Sequence, residues 1–115
     1  MFHWFRNLFR KNEILELLTN AGNITDMRVL LVTENCPFCR MMRLEVSRIN
    51  ELLAPENRIK VVHIDSFNPM ALMFRGRKIG TPSLYLDGYL VQGTTSEEYI
   101  QRFLHGYFKS IGEVK

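Results

Sequence analysis

The sequence contains no apolar run approaching the roughly 20 residues that a membrane-spanning helix needs. Its first residues form no uninterrupted hydrophobic stretch ending at a small-residue cleavage site. Both absences argue against a spanning helix and a cleaved secretion signal, and a cytoplasmic location is expected. Cysteine is scarce, with two in the chain, whereas a disulfide-stapled fold spreads more of them along its length. Charge of one sign is scarce as well. The formal net charge is +3; Arg6, Arg10 and Lys11 stand in an acid-free stretch of residues 1–11, and beyond it basic and acidic residues balance. A balanced body lacks the one-sign patch that a phosphate backbone requires, so no nucleic-acid partner is expected. Internal repeats and linker-like stretches are missing too.

What remains is ordinary globular material: 115 residues, 46% hydrophobic and 23% charged. That is enough for one packed core and too little for two. A single domain over residues 12–115 is expected, preceded by a basic, aromatic tail over residues 1–11.

Along the chain, residues 12–20 suit a short helix with Ile14, Leu15, Leu17 and Leu18 on its apolar side and Gly22 placed to stop it. Residues 28–32, Arg-Val-Leu-Leu-Val, form a nearly continuous run of β-formers, the mark of a parallel strand covered on both faces. Cys39, Met42, Val46, Ile49 and Leu53 then recur at helical steps, and residues 59–65 read as a second strand, completing a βαβ unit. Asn68-Pro69 would cap a short helical segment over residues 70–74. Residues 83–87 and 89–92 flank Asp87-Gly88 as an antiparallel hairpin. A last helix is expected to start with Thr95 as cap and Glu98 reaching back, with Tyr99, Ile100, Phe103, Leu104, Tyr107 and Phe108 on one broad face. The expected fold is α/β, ordered β-α-β-α-β-β-α after an extra N-terminal helix, with a four-stranded mixed sheet.

The cysteines fall at the junction of the first strand and its helix, as Cys36-Pro37-Phe38-Cys39. A sulfur at a helix N-terminus faces unpaired N–H groups and the positive end of the helix dipole, which favours its thiolate. Pro37 suits the first helical position, where its missing N–H costs nothing. Cys39, one turn on and within the apolar stripe, should be sheltered and within reach. Unlike thiols at this spacing suit thiol–disulfide exchange, in which Cys36 attacks and Cys39 resolves. The competing reading is a non-catalytic dimeric module in which the same cysteines hold an iron–sulfur cluster or another metal. The histidines His3, His63 and His105 do not complete a four-ligand zinc site with the pair, and His63, inside a strand, is expected to be packed or hydrogen-bonded. A second signal is Gly80-Thr81-Pro82-Ser83 at the head of the third strand; about 5–6% of X–Pro bonds are cis in folded proteins, and the sequence leaves the isomer open.

With both signals in place, residues 28 to about 108 resemble the thioredoxin superfamily, and more closely its small glutaredoxin-like members. The resemblance implies a disulfide reductase acting on protein or glutathione-mixed disulfides, with Cys36 and Cys39 catalytic. It implies a cis Pro82 packed beside the cysteines, a Thr81 backbone that pairs with extended substrate, and substrate contacts from Pro37 and Phe38. Gly93-Thr94-Thr95 resembles the glycine turn that in glutaredoxins holds the γ-glutamyl end of glutathione. No bound cofactor is implied; electrons would come from glutathione or a flavin-dependent disulfide reductase. Where thioredoxins carry a tryptophan just before the first cysteine and a buried aspartate six residues before it, this chain has Asn35 and Leu30. The Pro-Phe centre is nearer the Pro-Tyr of glutaredoxins. The lysine and aspartate usual in glutaredoxins are replaced by Thr33-Glu34-Asn35 and by Ser96 and Glu97.

Three flanking features stay open at this level. Arg75, Arg77 and Lys78 can meet a carboxylate of glutathione or of an acidic protein, or form a solvated loop. Arg40 can face the Cys36 sulfur or solvent. The tail, as a helix, would gather Phe2, Phe5, Leu8 and Phe9 on one side; such a segment can lie on an anionic membrane or dock on a partner, with packing across the core or a dimer mate preferred.

Overall fold

The computed structural model describes residues 3–8, 27–63, 73–74, 77–78, 80–87, 89–94 and 96–115. It is a mixed α/β protein. Its strands are β1 (His3–Leu8), β2 (Arg28–Val32), β3 (Lys60–His63), β4 (Met73–Phe74), β5 (Arg77–Lys78), β6 (Ser83–Leu86) and β7 (Tyr89–Thr94); its helices are α1 (Pro37–Leu52) and α2 (Glu97–Ser110). The larger sheet runs β1-β7-β6-β2-β3, and β4 and β5 form a separate two-stranded ribbon.

β2 is the spine. Val29, Leu30, Leu31 and Val32 are all 0% exposed, as a run apolar on both faces requires. It pairs in parallel with β3, from Val29 opposite Lys60 to Val32 opposite His63, and antiparallel with β6, from Arg28 opposite Leu86 to Leu31 opposite Ser83. Parallel neighbours need a crossover, and α1 supplies it. Met42, Val46 and Ile49 of α1 and Ile100, Leu104 and Phe108 of α2 close one core over Leu30, Val32, Leu84, Leu86 and Val91. Val29, Leu31, Ser83 and Tyr85 alternate with those strand residues and are equally buried.

The sheet departs from expectation at its edge. It has five strands rather than four, the fifth being residues 3–8, which pair antiparallel with β7 from His3 opposite Thr94 to Leu8 opposite Tyr89. A short tail cannot sustain a helix of its own, whereas the open edge of β7 offers a backbone ladder to a segment rich in aromatic β-formers. The expected helix over residues 12–20 lies outside the described residues. Within residues 70–74, Met73 and Phe74 are strand rather than helix, opposite Lys78 and Arg77; a cap and a proline ahead of five residues do not make a helix when a hairpin partner follows. The second strand begins at Lys60, one residue later than expected, and is described to His63; residues 64 and 65 of the expected strand lie outside the described residues.

The last helix starts one residue later than its first hydroxyl suggests. β7 runs on to Thr94, and Ser96 is the cap, its Oγ accepting from the Tyr99 N–H at 3.1 Å. Glu97 and Glu98 in the first turn and Lys109 in the last complement the helix dipole. Tyr99, expected on the apolar face, is 39% exposed.

Two ionic features hold these elements together. At the start of β2, the guanidinium of Arg28 uses all five of its donors: to Asp87 Oδ1 and Oδ2 at 2.8 and 3.0 Å, to Glu113 Oε1 and Oε2 at 2.6 and 2.8 Å, and to the Asn57 carbonyl at 2.6 Å. It also lies 5.1 Å from the Phe108 ring centroid, and Tyr107 donates to Asp87 at 2.6 Å. One side chain thereby ties β2, the hairpin turn, the loop after α1 and the end of the chain. Asp87 takes a left-handed φ of 52° at the turn. Between the helices, Glu45 is 1% exposed; Arg48 donates to it at 2.6 Å and also reaches Glu97 at 3.2 Å. Burial, and next the Glu97 carboxyl, push the Glu45 pKa above the usual carboxylate range.

Arg28→Ala should cost about 2–4 kcal/mol in urea unfolding, since it strands two carboxylates in partly buried surroundings. The Glu45 shift carries the opposite sign. A raised carboxyl pKa means the folded state loses stability as pH climbs from the ordinary carboxylate value through the raised one. Glu45→Gln should therefore melt higher than wild type near pH 7.5, with the gap narrowing on acidification; a gap constant across pH would refute the assignment.

Candidate functional site

The site is built where β2 stops. Past Val32 the chain must reverse from strand to helix, and Asn35 makes the turn in the left-handed region at φ 55°, which asparagine tolerates better than most residues. Cys36 follows in extended conformation as the N-cap of α1, with Pro37 in the first turn. Its Sγ accepts from the Cys39 N–H at 3.2 Å, and its carbonyl accepts from the Arg40 N–H at 3.1 Å. A sulfur here satisfies one of the donors a helix N-terminus leaves open, the position in which a thiolate gains most.

Cys36 and Cys39 are joined in a disulfide with Cα atoms 5.1 Å apart. Their environments differ as the spacing suggested: Cys39 is 2% exposed within the core, and Cys36 is partly buried at its margin. Pro37 is exposed, and Phe38 presents its ring to solvent at 43% exposure.

The Thr81–Pro82 peptide is cis. Continuing the β2–β6 register past Leu31 and Ser83 sets Thr33 opposite Thr81, and their Oγ1 atoms are 2.9 Å apart in a hydrogen bond. Pro82 is buried, and Ser83 donates its hydroxyl to the Gly80 carbonyl. The proline thus stands at the end of the sheet from which Cys36 emerges.

Gly93 and Thr94 do not form a turn before α2. They are the last residues of β7, opposite Trp4 and His3 of β1, because the added edge strand extends the ladder through them. Thr95 lies outside the described residues. Arg77 and Lys78 belong to the β4–β5 ribbon; Arg75 and the side chain of Arg77 are not among the described parts of the chain.

Two features of the site escaped the sequence. His63 is exposed rather than packed. It joins Thr33, Glu34, Asn35, Arg40 and Arg43 around a hollow of about 270 Å³ into which both cysteines open. The signal that could have found it is the parallel register, because the C-terminal ends of both strands in a βαβ unit lie at the helix N-terminus. Arg40, left open between sulfur and solvent, is exposed on that same hollow. Among the described residues, no group of three or more histidine, cysteine or acidic side chains is placed to hold a metal ion, and no helix is long and apolar enough to cross a membrane. Comparison with protein-family models, with curated proteins and with solved structures returns no match.

The asymmetry between the sulfurs can be measured directly. After reduction, limiting iodoacetamide should alkylate Cys36 at least about tenfold faster than Cys39, read by mass spectrometry of peptides. Equal labelling would contradict the burial difference.

Proposed function

We propose that this protein is a thioredoxin-superfamily thiol–disulfide oxidoreductase of the glutaredoxin-like kind, which reduces protein or glutathione-mixed disulfides. The observation that carries the reading is a disulfide between a helix N-cap cysteine and a core cysteine one turn on. The cis Thr81–Pro82 peptide at the same end of the sheet supports it, as does a strand order in which β3 and β2 are parallel and β6 and β7 follow antiparallel.

In the reduced protein, the Cys36 thiolate attacks one sulfur of a substrate disulfide. A Cys36–substrate disulfide forms, and the other substrate sulfur leaves as thiolate and takes a proton. Cys39, losing its proton, then attacks the Cys36 sulfur. The intramolecular disulfide closes and the second substrate thiol departs. Two electrons have passed from the protein to the substrate, with one proton from Cys39 and one from solvent, where the Cys36 proton had gone. Glutathione or a flavin-dependent disulfide reductase is the proposed donor that restores the dithiol. The helix N-terminus stabilises the attacking thiolate and makes Cys36 the better leaving group when the cycle runs backwards. Thr81 and Pro82 are proposed to form the platform beside which extended substrate lies, and Phe38 offers an exposed apolar contact.

Insulin reduction driven by dithiothreitol tests this. Cys36→Ser should fall to the uncatalysed rate. Cys39→Ser should accumulate a mixed disulfide with substrate, visible as a mass adduct. Wild-type turnover in the Cys36→Ser variant would remove the basis of the assignment.

A further inference from the structure

The hollow beside the disulfide does not end at Arg43 and His63. Both residues also line a second depression of about 460 Å³, bordered by Val46, Asn50, Val61 and Arg58. The two depressions adjoin as one grooved surface along α1 and β3, on the β3 flank of β2; Thr81 and Pro82 lie on its β6 flank. From Cys39 to Asn50 the groove follows α1 for about 16 Å at 1.5 Å per residue. That is the span of about five residues of extended chain.

Its charge is distinctive. Six arginines have described side chains, and four have partners. Arg28 binds Asp87 and Glu113, Arg48 binds Glu45 and Glu97, Arg102 binds Glu98, and Arg58 donates to the carbonyls of Asn50 and Leu53 at the end of α1. Among the described residues, the side chains of Arg40 and Arg43 enter no hydrogen bond or ion pair. Both are exposed, and both line the hollow that holds the cysteines. Among the described residues, Glu34 in the first depression and Glu51 in the second are the carboxylates of the lining, and the middle, where the two meet at Arg43 and His63, is basic. Free guanidinium groups recognise carboxylates in paired hydrogen bonds.

We propose that this groove seats an acidic, extended segment of the disulfide-bearing protein substrate, with Arg40 and Arg43 gripping carboxylates next to the cysteine under attack. The inference deepens the redox reading and rests on it for the identity of the occupant. The length of the groove favours a peptide segment over glutathione, and its basic middle favours aspartate and glutamate over neutral sequence. Charge of this kind acts chiefly on the encounter rate and is weakened by salt.

The test uses the reduced full-length protein and two synthetic peptides of equal length, each carrying one cysteine as a mixed disulfide with thionitrobenzoate. In one the cysteine is followed by a run of glutamates, and in the other by glutamines. Attack by Cys36 on the peptide sulfur releases thionitrobenzoate, read by its absorbance. The glutamate peptide should react about tenfold faster or more at low salt. That ratio should collapse to about one in 0.5 M salt and in the Arg40→Gln/Arg43→Gln variant. Arg102→Gln/Lys109→Gln, an equal charge change on α2, should keep it. A ratio near one in the wild type, or one that survives in the Arg40/Arg43 variant, would overturn the proposal. If wild type releases nothing from either peptide, the redox reading fails by itself, and fluorescence anisotropy of a labelled, cysteine-free glutamate peptide with oxidised protein decides the groove. Binding lost in the Arg40/Arg43 variant supports it, and absence of binding overturns it.

Discussion

The parallel pairing of β2 with β3 constrains everything at the end of the sheet that carries the cysteines. Two parallel neighbours cannot be joined by a turn, so the chain must leave β2 at one end of the sheet and return at the other. α1 makes that journey, and its first turn therefore lies at the C-terminal end of β2, where its open N–H groups meet Cys36. The same geometry delivers His63, the last residue of β3, to the hollow beside the sulfurs. Antiparallel pairing of β6 then brings Thr81 and Pro82 to that end from the other side. A cluster drawn from residues 33–43, 63 and 81–82 thus follows from strand directions alone.

The two ends of β2 carry different duties. At its start, five hydrogen bonds to Arg28 gather the chain end, the hairpin and the loop after α1. At its finish, the described polar contacts include the Thr33–Thr81 hydroxyl pair, the Ser83 hydroxyl on the Gly80 carbonyl and the Cys36 sulfur facing one N–H. The Arg28 network thus lies where no chemistry is proposed, and the end that carries the cysteines presents Arg40 and Arg43, exposed and without side-chain partners among the described residues. That division is physically reasonable, because a sulfur must exchange one covalent partner for another without the sheet beneath it loosening.

How much of this the sequence displays depends on whether the deciding interaction is local. β2 is legible because four consecutive apolar β-formers admit few other fates, α1 because its stripe repeats over four turns, and the β6–β7 hairpin because Asp87-Gly88 announces its turn. The cysteine pair is legible by position. β1 is not, since nothing in residues 3–8 points to a partner some 85 residues on; its state is decided by the open edge of β7. The cap of α2 shifts to Ser96 for a related reason, as β7 claims the residues before it. Glu45 sits in what looks like a charged helical position, and only the arrival of α2 buries it. His63 reads as an interior strand residue, and only the packing of β3 beside α1 shows it exposed on the hollow.

The placement of Cys39 also bears on where its proton can go. Thioredoxins bury an aspartate six residues before the first cysteine, and here that place is Leu30, 0% exposed in the same core cluster as Cys39. The other apolar neighbours of that cluster, Val32, Met42 and Val46, offer no base. Glu45, the buried carboxyl, is six residues along α1, about 9 Å of helix away, and is engaged with Arg48 and Glu97. A proton leaving Cys39 therefore has one polar direction available among the described residues, outward through the hollow that both sulfurs line. On the proposed mechanism, that is also where the first substrate thiolate is released. The departing sulfur can then accept the proton that Cys39 must lose, which couples resolution to product release without a dedicated acid–base residue beneath the disulfide.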